Sequence, residues 1–241
     1  MSQLVKLLRG AGRVTGRPTA GFGARQEGRQ RLILVAALDG PDTAAAKKAV
    51  EAGADVLELP LTDAKSADRL KDLAKAVEAP VGVALTGALA PDFDFAKLEA
   101  AGADYVKVEA GDAPATVFLL ETAAVVLEVK ESFSDTMLKM LNFLPAKAVQ
   151  VDAPEDLQGL TIKRLMEARV DRELIGKPLL LRVGATIKPE AAQLLALISP
   201  NGLVVPAANV AAWKQAVADL KEPSETDDGG ANISLRAPSA A

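Results

Sequence analysis

From Leu32 to Lys221, short runs rich in Val, Ile and Leu alternate with Ala/Leu/Lys/Glu segments of helical period, and the alternation occurs eight times. That is the pattern of parallel strands joined by crossover helices. The predicted strands are Leu32–Leu38, Asp55–Leu61, Val81–Thr86, Tyr105–Glu109, Val125–Lys130, Ala148–Asp152, Leu179–Gly184 and Leu203–Pro206. The predicted helices lie near Thr43–Ala52, Ala64–Ala79, Phe95–Ala101, Thr116–Thr122, Asp135–Leu144, Leu160–Leu174, Pro189–Ser199 and Val210–Lys221. In EAGAD (51–55) and AAGAD (100–104) a Gly stands just after a helix and just before a strand, a helix C-cap signal. The shared phrase has two explanations, an internal duplication or one capping need met twice. Eight successive units match closure into a (β/α)8 TIM barrel. The rival is an open doubly wound sheet, but no Gly-x-Gly-x-x-Gly follows the first strand. The expectation is a short N-terminal helix and irregular lead-in over 1–30, a barrel over 31–221 and a disordered tail over 222–241.

Composition narrows the chemistry. Hydrophobic residues make up 49% of the 241 residues but aromatics only 3%, so Ala, Val and Leu must pack the space between strands and helices. A net charge of −4, one Trp and one Tyr give no footprint or stacking platform for a polynucleotide. No Cys and no His occur, so disulfides, thiolate or imidazole metal sites and the Ser-His-Asp and Cys-His chemistries are excluded in their usual forms. Catalysis would fall to Lys, carboxylates, Arg or backbone, and no cofactor is expected. Met1–Gly10 lacks an apolar stretch long enough for a signal peptide or a span, so a cytoplasmic protein is expected. Val5, Leu7 and Leu8 suit either a turn lying on a membrane or, the favoured reading, a helix covering the barrel floor. In the tail, Ile233, Ser234, Leu235 and Arg236 could dock on a partner protein, or the tail could simply be solvated.

Strand parity selects the interior. In a closed barrel the outward set must be apolar because helices cover it, whereas the inward set can be mixed. Leu57, Leu59 and Leu61 then face the helices, as do Val106 and Val108. Their neighbours face in: Glu58 on strand two, Tyr105, Lys107 and Glu109 on strand four, and Glu128 and Lys130 on strand five. Gln150 and Asp152 on strand six and Arg182 on strand seven join them. Strands one and three contribute Ala37, Asp39, Gly82, Ala84 and Thr86, small residues that suggest a concavity beside them. By position Asp39, Glu109, Lys130 and Asp152 sit at the carboxyl-terminal mouth, where such barrels present residues to substrate. Glu58, Lys107, Glu128 and Arg182 lie one layer deeper. Ions in so enclosed a volume must be paired. The set reads either as a space-filling salt-bridge network or as an active site.

Three local resemblances add to this. Glu51–Leu61 (EAGADVLELPL) resembles the second strand of the tryptophan synthase α subunit and of type I dehydroquinate dehydratase, which implies an acid or base role for Glu58. Ala101–Gly111 (AGADYVKVEAG) is similar to the Schiff-base segment of deoxyribose-phosphate aldolase, which implies a covalent role for Lys107. Arg182–Glu190 (RVGATIKPE) resembles the glycine turn of phosphate-binding barrels, which implies an anion held by the amides of Gly184, Ala185 and Thr186 with Lys188 nearby. Against this, such a turn can need Gly for its own geometry, and Pro206-Ala-Ala-Asn209 replaces the Gly-Ser type turn expected after strand eight.

Three functions stay open. The first is an aldolase-like lyase acting on a small oxo-compound, phosphorylated or not. Its lysine must lose a proton to attack a carbonyl, so its reference pKa of about 10.4 must fall. Lys107 beside Lys130 and Arg182 would suit this, with Glu58 or Asp152 moving protons; Lys107 between Glu58 and Glu128 would be an inert ammonium. The second is a noncatalytic binding or assembly barrel. The third is Mg²⁺ chemistry at Asp39, Glu58, Glu109 and Asp152, disfavoured by the interleaved Lys and Arg, so no metal is expected. Partners are a small molecule or anion and, as an open matter, a second copy of the chain, with no nucleic acid and no membrane.

Overall fold

The computed structural model describes residues 2–11, 32–63, 66–130, 133–153 and 161–220. Eight parallel strands pair in sequence order and close, β8 returning to β1. They are β1 (Ile33–Ala37), β2 (Val56–Leu61), β3 (Val81–Leu85), β4 (Tyr105–Glu109), β5 (Ala124–Val129), β6 (Ala148–Asp152), β7 (Leu179–Arg182) and β8 (Gly202–Pro206). The helices are α1 (Gln3–Gly10), α2 (Thr43–Glu51), α3 (Ala67–Ala76), α4 (Phe95–Ala100), α5 (Asp135–Met140), α6 (Ile162–Leu174), α7 (Ala192–Ala196) and α8 (Val210–Ala218). The TIM barrel expected from the alternation is thus the observed fold.

Register sets the interior. Strand pairs lead from Ile33 through Gly202, Leu180, Gln150 and Glu128 to Glu109. Stepping down two residues on β4, they lead from Lys107 through Ala84 to Pro60 and, two down again, from Glu58 to Ala37. The path still returns to β1 four residues above its start, so the closing stagger is eight residues and interior side chains fall in layers of four from alternate strands. From the floor upward these are Val56, Tyr105, Ala148, Gly202; then Val35, Gly82, Val126, Leu180; then Glu58, Lys107, Gln150, Val204; then Ala37, Ala84, Glu128, Arg182. The apolar members of the inner set form one cluster, and the outward residues with the helices form another, as parity requires.

The floor is closed by α1. Leu4 and Leu8 are buried among Ile33, Val35, Val56 and Tyr105, which uses up the apolar side that could otherwise have met a membrane. Asp104, at the foot of β4, holds the helix start by accepting from Ser2 Oγ (2.8 Å), Gln3 N (2.6 Å) and Leu4 N (2.9 Å). Asp55, its counterpart at the foot of β2, accepts from Leu34 N at 2.9 Å. The glycines two residues earlier, Gly53 (φ 102°) and Gly102 (φ 98°), are left-handed, so the repeated phrase does the same work twice: Gly ends a helix and Asp fastens a neighbouring chain.

The expected helix over Thr116–Thr122 is not formed; the β4–β5 crossover carries only a 3₁₀ turn, Ala115–Leu119. Pro114 opens it, and the Glu99 carboxylate on α4 draws off the chain that follows. Glu99 accepts from Thr122 Oγ1 (2.6 Å), Ala123 N (2.8 Å), Glu121 N (3.4 Å) and Thr122 N. Partial burial opposes its ionisation, but these donors outweigh it and hold the carboxyl at about 2. The helix expected over Asp135–Leu144 ends at Met140 and finishes as a 3₁₀ turn, Leu141–Phe143; that expected over Pro189–Ser199 begins as a 3₁₀ turn, Pro189–Ala191. Most of the lead-in, the tail over 222–241 and its candidate docking residues Ile233–Arg236 lie outside the described residues. Among the described residues no helix is long and apolar enough to cross a membrane.

A Cβ on Gly82 would lie 1.9 Å from Tyr105 Cε1. Gly82→Ala should therefore cost roughly 1–3 kcal/mol by overpacking, measured by urea unfolding, and should cost much less in a Tyr105→Leu background. Because the Glu99 carboxyl is lowered from 4.5 to about 2, its stabilisation is complete above 4.5 and lost as pH falls toward 2. Discounted for solvent exposure to about 1 kcal/mol, Glu99→Gln should lower Tm by roughly 2–4 °C at pH 7, and the gap to wild type should close near pH 2.

Candidate functional site

In the third layer of side chains above α1 the interior turns polar, and its charged groups form a continuous chain. At the inner end Tyr105 Oη donates to Glu58 Oε2 at 3.0 Å. Burial first, and then the facing Glu58 charge, push the phenol well above its usual pKa, so it remains a donor. Lys107 Nζ bonds Glu58 Oε1 at 2.9 Å and Glu128 Oε2 at 3.1 Å. Glu128 Oε1 lies 3.7 Å from Arg182 Nη1. Exposure rises along the chain: Glu58 and Lys107 are 4% and 2% exposed, whereas the Glu128 and Arg182 side chains are 18% and 53% exposed. Tyr105 can reach Glu58 only because Gly82, in the intervening layer, has no side chain.

These contacts decide between the two placements considered for Lys107. It lies between Glu58 and Glu128, not beside Lys130 and Arg182. Both carboxylates engage the Nζ that a Schiff base would need free to meet a carbonyl. Lys130 is separate: exposed, it pairs with Glu109 at 2.6 Å. Its hydrogen bond to Glu109, more than the burial that opposes it, raises its pKa, the wrong direction for a nucleophile.

The remaining sequence candidates gather at the mouth. Asp39, Asp152, Gly184, Ala185, Thr186 and Lys188 are exposed there, with Asp152 paired in register with Arg182. Residues 184–187 form a turn closed by Ile187 N donating to Gly184 O at 3.1 Å. Gly184 is not left-handed, and a Cβ there would meet nothing nearer than Thr186 Oγ1 at 3.9 Å. The turn thus does not need glycine for its own geometry, a correction to that reading; a glycine here leaves the backbone open to close approach. After β8 the chain forms a 3₁₀ turn, Ala207–Asn209. Asp39, Glu58, Glu109 and Asp152 do not converge, and among the described residues no three acidic groups could share a metal ion.

Two buried residues with polar side chains were placed facing in by parity but not counted as site residues. Tyr105 is one, bonded to Glu58. The other is Gln150, in the layer of Glu58 and Lys107: it is fully buried, and neither its amide nitrogen nor its amide oxygen has a hydrogen-bond partner. A lone neutral amide among the inward charges of β2, β4, β5 and β7 is the signal that could have marked it.

A closed eight-stranded barrel with an ionised chain rising to its carboxyl-terminal mouth is the class of protein that fold and site define. No protein-family model matches the chain, and no curated protein does. Solved structures do. Thiamine phosphate pyrophosphorylase from Pyrococcus furiosus is 18% identical over 78% of this chain and 93% of its own, with a TM-score of 0.56. A mutant tryptophan synthase α subunit from the same organism is 16% identical over 78% and 97%, with a TM-score of 0.57. Phosphoribosylanthranilate isomerase from Thermotoga maritima is 13% identical over 79% and 100%, with a TM-score of 0.59. At such identities the likeness establishes the barrel.

Removing the shared cation should expose the cost of the network. Lys107→Met leaves two carboxylates facing each other and should lose about 3–5 kcal/mol in urea unfolding at pH 7. Adding Glu58→Gln should recover a substantial part of that loss; equal stability of Lys107→Met and wild type would mean that the pairs do not form.

Proposed function

We propose that the barrel is an enzyme of the aldolase-like lyase kind, acting on a small anionic oxo-compound by proton transfer without a covalent lysine. The observation that carries this reading is Lys107 held between Glu58 and Glu128 beneath a solvent-exposed Arg182. Arg182 would bind the anionic group, aided by the backbone of Gly184, Ala185 and Thr186 and by Lys188. Ala37 and Ala84 share the layer of Glu128 and Arg182 and leave space opposite them. Glu128 would take a proton from the carbon next to the carbonyl, and the negative charge that moves onto the carbonyl oxygen would meet a remaining N–H of Lys107. The enolate carbon would then bond to the carbonyl carbon of an aldehyde, whose oxygen takes the proton back from Glu128, and cleavage of that C–C bond is the same sequence reversed. Glu58 and Tyr105 orient Lys107 from below. A phosphorylated substrate is supported by two similar barrels whose names carry a phosphate ester, thiamine phosphate pyrophosphorylase and phosphoribosylanthranilate isomerase.

The noncatalytic reading has one observation in its favour: Glu58 accepts from both Tyr105 and Lys107, so the deepest charges are already satisfied by one another. Deuterium exchange separates the two. Incubated in D₂O with pyruvate, dihydroxyacetone phosphate and related oxo-acids and oxo-phosphates, the protein should exchange the α-proton of at least one, and Glu128→Gln should slow this by about 10²-fold or more. Borohydride should trap no adduct. An adduct on Lys107 or Lys130 would restore the Schiff base, and neither binding nor exchange across the panel would leave the noncatalytic barrel.

A further inference from the structure

Gln150 is the one buried side chain among the described residues whose polar atoms have no hydrogen-bond partner. It stands on β6 between Glu128 of β5 and Leu180 of β7, in register with both, and shares its layer with Glu58, Lys107 and Val204. The flanking strands place Glu128 and Arg182 in the layer immediately above, so the amide lies one layer beneath the Glu128–Arg182 pair. A buried amide has one acceptor and two donors to satisfy, and the cost of leaving all of them empty makes an unaccompanied Gln at this position unfavourable. Nearby charged groups are paired with one another and not with the amide: Lys107 with Glu58 and Glu128, and Glu128 with Lys107 and Arg182.

We propose that Gln150 is the inner, specificity-determining contact of the ligand site, and that it reads a neutral group able both to donate and to accept, a hydroxyl or a carboxamide. This rests on the mouth being an anion site. The ligand would then carry its negative group at Arg182 and its donor–acceptor group two or three bonds further in. A charged inner group fits poorly, because Gln150 is neutral and the adjacent carboxylates are already matched by Lys107 and Arg182. Arg182, held to Glu128 only at 3.7 Å and half exposed, is the side chain that would move to admit it.

The test uses the full chain and three probes of similar size: 2-hydroxyethyl phosphate, phosphonoacetamide and ethyl phosphate, titrated by calorimetry. Wild type should bind the hydroxyl or the carboxamide probe at least about tenfold more tightly than ethyl phosphate. Gln150→Leu should erase that preference, and should raise the Tm of the ligand-free protein. Gln150→Met serves if the branched side chain fails to fold. Ethyl phosphate bound without any preference in wild type, or a preference that survives in the variant, overturns the role of Gln150 alone. A lower Tm in both variants overturns it too, by showing that a structural partner such as an internal water satisfies the amide. Failure of all three probes to bind, with Arg182→Gln indistinguishable from wild type, overturns the anion site and this inference with it.

Discussion

Closure with a stagger of eight residues constrains everything else in this molecule. It admits four interior side chains per layer and fixes which strands supply them. The lower layers are filled by Val, Ala, Leu and one Tyr, and α1 seals them from beneath. In the layer above, Glu58, Lys107 and Gln150 are almost wholly buried, so each charge must find its counterpart within a few ångströms. Tyr105 belongs to this solution as much as to the apolar plug, and it depends on the absent side chain at Gly82.

The same constraint is why the proposal assigns the interior acid–base chemistry and not amine chemistry. A nucleophilic lysine needs its Nζ free, and here two flanking carboxylates engage it. They also hold the ammonium rigidly, and a rigid cation in a low-dielectric interior is well suited to meet charge that develops on a substrate oxygen. The graded exposure from Lys107 to Arg182 joins that fixed centre to the mouth, where the turn at 184–187 leaves backbone accessible.

Where the barrel departs from a uniform ring of helices, hydrogen bonding takes over from helix packing. The β4–β5 crossover is a 3₁₀ turn with Leu119 exposed on it, and Glu99 of the preceding helix holds the chain leading into β5. Asp104 and Asp55 do comparable work at the floor, so the acidic residues at strand feet are structural while those inside the barrel are candidates for chemistry.

Much of this was legible in the sequence because it follows from periodicity. Eight repeats of strand and helix specify a closed barrel, and the two-residue period of a strand sends Glu58, Lys107, Glu128 and Arg182 inward once their apolar neighbours are assigned to the helices. The missing crossover helix was not legible, since helical composition over Thr116–Thr122 yields to Pro114 and to a carboxylate more than twenty residues away in sequence. Nor could parity say which charges touch. Whether Lys107 meets Glu128 or Lys130 depends on the stagger between strands, and whether Gln150 finds a partner depends on every side chain around it. The sequence determined which residues enter the barrel, because facing is a local property of each strand; tertiary structure alone decided their partners, because height in the barrel is set only when all eight strands close.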